Sequence, residues 1–226
     1  MNPKLLYSAA ILAGGRATRF GGRDKSALIV EGRTILDRQL SMLSSITDDV
    51  LIVGMGAAPA IHPSTSSQCP DPAEGHTRNS DGADTMTAPR WIGDIVPACG
   101  PLGGLHAALT AARGDALFLI ACDMPFISSG FADYLLSLTG GVEIVIPRTE
   151  RGYHPLCAVY TRACLDSVAV RLADRRLRLG ELVADRPTRV VSVEDMARFG
   201  DPYRLLANVN TPAEYAGLEA LQSHKL

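Results

Sequence analysis

Five short apolar runs limit what this chain can fold into: "YSAAIL" (7–12), "DVLIVG" (49–54), "ALFLIA" (116–121), "VEIVIP" (142–147) and "LCAVY" (156–160). Each has the length of a strand, and such runs suit strands buried on both faces. Helical patterns lie between them. Residues 34–45 place Ile35, Leu36, Leu40 and Leu43 on one face, and residues 102–112 and 129–138 read similarly, with Ser128 or Ser129 as a cap. The alternation predicts an α/β fold in three layers, a mostly parallel sheet with helices on both faces. "NTPAEYAGLEALQ" predicts a last helix, with Thr211 as its cap, Pro212 at the first helical position and Glu214 completing a capping box.

The chain of 226 residues is 46% hydrophobic, enough for one such domain over 1–226. One segment does not fit the pattern. Residues 57–90 hold five of the 14 prolines, many Ser and Thr and little to bury, so they read as a disordered surface insertion between two strands. The net charge of −2 gives no general attraction to nucleic acid or membrane, so any basic site must be local. The cysteines (Cys69, Cys99, Cys122, Cys157, Cys164) are odd in number and lack a C-x-x-C, which suits reduced thiols in the cytoplasm. The opening "MNPKLLYSAAILAGG" imitates a signal peptide, but Tyr7 and Ser8 interrupt its apolar run, and it reads as a buried first strand. No stretch approaches the length of a membrane-spanning helix.

Behind that first run comes "ILAGGRATRFGGRDKSAL" (11–28), with four glycines, three arginines and a lysine. It is not a Walker A loop, because Asp24 precedes Lys25-Ser26 and no glycine pair has the spacing; nor is it G-x-G-x-x-G, because Gly14 and Gly15 are adjacent. What remains is a long strand-to-helix loop. Gly14 and Gly15 let the backbone approach a ligand, Gly21 and Gly22 permit a second bend, and Arg16, Arg19, Arg23 and Lys25 can converge on phosphate oxygens. "ALFLIACDMPFI" is an apolar strand ending at Asp123, where a carboxylate beyond a strand's C-terminal end is placed for function. A single hard carboxylate completed by phosphate oxygens suits Mg²⁺. His62, His76, His106 and His224 show no ligand spacing.

The loop, together with "GPLGGLHAAL" (100–109), "ACDMPFI" (121–127), "HPLCAVY" (154–160) and "NVNTPAEY" (208–215), resembles the nucleotidyltransferases that share the first half of the sugar-nucleotide pyrophosphorylase fold. Within them the match is to the molybdenum cofactor guanylyltransferase family, over nearly the whole chain except 57–90. The resemblance implies a Rossmann-like nucleotide-diphospho-sugar transferase fold and transfer of GMP from GTP to molybdopterin, releasing pyrophosphate. It implies Mg²⁺ on Asp123, with Asn208 or Asn210 as a second ligand. It also implies charge compensation by Lys25 and Arg19, and nucleotide contacts from Leu12, Ala13, Gly14, Gly15, Lys25, Asp94 and Asp123. His154-Pro155 matches an acceptor-side motif, where His154 would contact pterin or phosphate. Gly54 stands where the family commonly has an asparagine, so that contact does not carry over. The implied partners are GTP, molybdopterin, and molybdoenzymes or cofactor-insertion proteins. The alternatives are a cytidylyltransferase or another NTP transferase of the same fold, and a non-catalytic nucleotide-binding protein.

Overall fold

The computed structural model describes residues 6–13, 28–54, 88–209, 211, 213, 214 and 216. In chain order the strands are β1 (Tyr7–Leu12), β2 (Ile29–Val30), β3 (Arg33–Thr34), β4 (Val50–Val53), β5 (Arg90–Ile92), β6 (Ala116–Ala121), β7 (Ile144–Thr149), β8 (Gly152–Tyr153), β9 (Cys157–Thr161) and β10 (Thr188–Val191). The helices are α1 (Ile35–Ser44), α2 (Gly100–Ala111), α3 (Ser129–Ser137), α4 (Leu165–Ala173), α5 (Leu179–Asp185), α6 (Val193–Met196) and α7 (Pro202–Leu205).

The five apolar runs become β1, β4, β6, β7 and β9 of a sheet ordered β10-β7-β9-β6-β1-β4-β5, with β8 paired to β7. β1 lies between β4 and β6, parallel to both, with Leu12 level with Val53 and Ala121. β9 is the reversal in the main path, antiparallel to β6 and β7. Period-two alternation divides each run between two cores. Ala10, Leu12, Leu117, Leu119, Ile144 and Ile146 pack on one face with Leu102, Leu105, Val168 and Leu182 from α2, α4 and α5. Ala9, Ile11, Phe118, Ile120 and Val145 pack on the other with Leu43, Phe131, Met196 and Leu205 from α1, α3, α6 and α7. Both neighbours of each strand being apolar explains why the runs are continuous.

Local chemistry sets the helix ends. The Ser128 hydroxyl accepts from the Phe131 N–H and caps α3. Thr211 and Glu214 form the expected reciprocal pair: the Glu214 N–H donates to Thr211 Oγ1 at 2.9 Å and the Thr211 N–H to Glu214 Oε2 at 3.1 Å. On α1 the fully buried stripe is Ile35, Gln39 and Leu43, while Leu36 and Leu40 lie on its half-buried flank. The strip of small residues on α2 permits close packing, since a Cβ at Gly104 would come within 2.9 Å of Leu12 Cδ2.

The sequence pattern does not anticipate the β2–β3 hairpin, whose turn residues Glu31 and Gly32 both have positive φ, as a type I′ turn requires. It also misses β5, whose first residue, Arg90, lies inside the expected 57–90 insertion. There Arg90 joins the sheet, and its guanidinium donates to Asp49 Oδ1. The rest of that segment through residue 87 lies outside the described residues, as do Gly14, Gly15, Arg16, Arg19, Gly21, Gly22, Arg23, Lys25 and Asn210. Among the described residues no helix is long and apolar enough to cross a membrane.

Candidate active site

The parallel strands β1, β4, β5 and β6 point their C-terminal ends to one edge of the sheet, and β9, running the opposite way, begins there. That edge collects Leu12 and Ala13 after β1, Gly54 after β4, Asp94 two residues beyond β5, Asp123 two residues beyond β6, and His154 ahead of β9. Ligands of open α/β sheets bind in this place, because the strand ends diverge and the loops are free to vary.

At the centre the main chain is already engaged. The Ala13 N–H donates to the Val53 carbonyl at 2.7 Å, the Cys122 N–H to the Leu12 carbonyl at 3.2 Å, and the Gly54 N–H to the Ile92 carbonyl at 3.2 Å. Leu12 turns its side chain inward under Gly104 and is 7% exposed, so it supplies an apolar floor. The Ala13 N–H and the Leu12 side chain are therefore not available to a ligand.

Residues 121–124 make a turn in which the Met124 N–H donates to the Ala121 carbonyl at 3.3 Å, and Asp123, half-buried, occupies its corner. The Asp123 carbonyl accepts from the Val209 N–H at 2.7 Å, which brings the exposed Asn208 beside the turn. Around it, Phe126 packs in a small cluster with Val30, Ile35 and Val209. The Arg204 guanidinium lies 4.4 Å from the Phe126 ring centre and bonds Glu31 at 2.9 Å, while Glu31 also pairs with Arg38 at 2.8 Å. This clasp of β2–β3, α1 and α7 around Phe126 gives little outward sign in the sequence. Its signals are an acidic residue before the hairpin glycine and scattered arginines.

Among the described residues no three His, Cys, Asp or Glu side chains group into a metal site. One carboxylate with an amide neighbour is an oxygen-donor set that fits Mg²⁺ and does not fit zinc. Thiol chemistry is also excluded at Cys157 and Cys164, both buried: burial pushes Cys164 up to about 12 and Cys157 higher still.

His154 anchors the far side of the edge. Its Nε2 lies 3.0 Å from Thr149 Oγ1, and its backbone N–H donates to the Pro147 carbonyl at 3.0 Å. Burial, then the neighbouring Arg151, lower its pKa, and Glu150 opposes them only in part. The shift favours the neutral imidazole, in which one ring nitrogen donates and the other accepts.

Fold and edge together define an open α/β enzyme architecture with its ligand site at the C-terminal ends of the parallel strands. Molybdopterin-guanine dinucleotide biosynthesis protein A from Archaeoglobus fulgidus superposes with a TM-score of 0.71 at 20% identity, over 96% of this chain and 99% of its own. The 2-C-methyl-D-erythritol 4-phosphate cytidylyltransferase of Thermus thermophilus does so with 0.60 at 15% identity, over 97% and 100%. In sequence, a molybdenum cofactor guanylyltransferase of Desulfosudis oleivorans is 30% identical over 215 residues, covering 93% of each chain. The profile of the MobA-like NTP transferase domain matches residues 9–187, and this chain belongs to that family of nucleotidyltransferase enzymes.

Proposed function

We propose that this enzyme transfers GMP from GTP to the terminal phosphate of molybdopterin, releasing pyrophosphate, in a Mg²⁺-dependent reaction. The observation that carries the reading is Asp123. It stands at the corner of the turn after a central strand, at the edge where β1 ends, and the Val209 bond draws Asn208 alongside. The guanylyl and molybdopterin specificities rest on the sequence relative, since the cytidylyltransferase shares the same fold.

The acceptor needs no general base. A phosphate monoester has its second pKa near ~6 and is largely dianionic at neutral pH, so it can attack the α-phosphorus directly. The bond that forms joins an acceptor oxygen to that phosphorus, and the bond that breaks releases the β- and γ-phosphates as pyrophosphate. Catalysis is then alignment and charge compensation.

Asp123 would hold the metal, with Asn208 or Asn210 as a second oxygen donor. When bound, Mg²⁺ supplies Lewis-acid stabilisation to the phosphate oxygens. Lys25 and Arg19 would offset charge growing on the pyrophosphate, and the Ala13 carbonyl with Gly14 and Gly15 would meet the base. Asp94 would contact the nucleotide from the β5 side, and neutral His154 would donate to or accept from the acceptor. Buried reduced thiols agree with a cytoplasmic setting. Turnover with purified molybdopterin, comparing GTP and CTP and following pyrophosphate, tests the assignment. No product with either nucleotide in the presence of Mg²⁺ removes it.

A further inference from the structure

We infer that Gln39 is a positioning residue for Asp123. The inference rests on the reading of Asp123 as the metal-holding carboxylate. Gln39 lies on α1 at the centre of the stripe Ile35–Gln39–Leu43, a place the helical period reserves for an apolar side chain, and it is 2% exposed. Its amide crosses to the turn after β6. Nε2 donates to the Ala121 carbonyl at 2.8 Å and to the Met124 carbonyl at 3.1 Å.

These two carbonyls bracket Asp123. One nitrogen carrying two hydrogens can serve both acceptors at once, and the reversed amide would set oxygen against both. The orientation is therefore dictated by the turn. It leaves Gln39 Oε1 buried with no hydrogen-bond partner among the described residues. A buried amide oxygen left unsatisfied is a cost to folding, and a methionine or leucine at this place would avoid it. What the amide does in return is hold both ends of the turn against α1, while the Val209 N–H holds the Asp123 carbonyl from the other side. Asp123 is thus fixed in front, behind and at its own peptide. A carboxylate at a metal must be held in orientation as well as in place, and groups that do this from outside the ligand set govern affinity strongly.

The test is Mn²⁺ binding followed by electron paramagnetic resonance of the free ion, with GTP present, on the full chain. Wild type, Gln39→Met and Asp123→Asn are compared at a temperature where circular dichroism shows all three folded. Gln39→Met keeps the volume and removes both donors. Its apparent Kd for Mn²⁺ should rise roughly 10- to 100-fold, with kcat falling more than KM for GTP changes. Should Gln39→Met fail to fold, Gln39→Asn retains an amide that is too short to reach both carbonyls, and a smaller rise is expected. Unchanged Mn²⁺ affinity in the folded Gln39 variant, alongside weakened binding in Asp123→Asn, overturns the positioning role and leaves Asp123 standing. Unchanged affinity in Asp123→Asn removes the metal reading itself, and the role of Gln39 with it.

Discussion

The backbone N–H of Val209 donates to the carbonyl oxygen of Asp123 at 2.7 Å, joining the last described part of the chain to the turn that follows a central strand. Because Val209 is itself buried, this bond is shielded from water and registers Asn208 against Asp123. Asp123→Asn keeps the size of the side chain and the main-chain bond but removes the negative charge of the donor. Turnover should fall by about 100-fold or more, with GTP binding weakened far less. Mg²⁺ titrations of rate on both proteins check this, and an unaltered metal requirement would transfer the role to another residue.

Lys25 lies outside the described residues, and its proposed role comes from the glycine-rich loop. A loop lysine facing phosphates contributes charge and little packing. Lys25→Ala should therefore retain the thermal unfolding midpoint while losing ~2 to 4 kcal/mol of transition-state stabilisation. Steady-state kinetics beside a melting curve separates the two, and near-normal turnover takes Lys25 out of the mechanism.

At the opposite edge of the sheet, Asp49 ties three strands together. It accepts from the Ser8 hydroxyl at 2.5 Å, from the Arg113 N–H at 2.8 Å and from Arg90. Burial pushes its pKa up, but the hydrogen bonds from Ser8, Arg113 and Arg90 outweigh that and hold it below the ordinary carboxylate range. A carboxylate depressed in the folded state stabilises the protein above the unfolded value of about 4, and that stabilisation is lost as pH falls through the folded value. Asp49→Ala should cost about 2 to 3 kcal/mol at pH 7. Denaturant melts of both proteins from pH 7 down to pH 3 should show the difference shrinking with acid. A gap independent of pH would assign the loss to packing alone.

By sequence, residues 57–87 offer little that a core could bury. Their removal, bridged by a short linker, should leave folding and most of the activity, since surface loops tolerate length changes at little cost. Extending the deletion through Arg90 removes the first residue of β5 and the Asp49 ion pair at 2.5 Å. That second variant should melt several degrees lower. Equal melting points for the two would show that β5 and its arginine contribute nothing at this edge.

The central strands and most of the helical faces were legible because burial on both sides of the sheet forces uninterrupted apolar runs. Short edge strands such as β5 and β10 bury too little to leave a run, and Arg90 disguised the first of them as part of a polar segment. The carboxylate of Asp123 was legible for the same reason as β6: it interrupts an apolar strand at its end. Gln39 carries a weaker signal, a polar side chain at the i+4 step between Ile35 and Leu43. Reading it required the carbonyls of Ala121 and Met124, which only the fold brings near.

The nucleotide base offers the sharpest test of the substrate. Ala13 gives its N–H to Val53, Leu12 buries its side chain under Gly104, and Gly54, buried, spends its N–H on Ile92. Among the described residues no polar side chain therefore stands at the ends of β1 and β4 to meet a base. We expect recognition through the Ala13 carbonyl and the peptide groups of Gly14 and Gly15, where the missing side chains let a purine lie close. Guanine presents both a carbonyl acceptor and N–H donors to such a backbone, and a pyrimidine would leave some of those partners unpaired. Gly54 supplies no side-chain amide at the end of β4, which reduces the margin without reversing its sign. GTP should be preferred over CTP by at least about tenfold in kcat/KM, equivalent to ~1.4 kcal/mol. Direct competition between the two nucleotides on molybdopterin measures that ratio. A preference for CTP would sink the guanylyl assignment while leaving the fold, the Asp123 turn and its clamp by Gln39 in place.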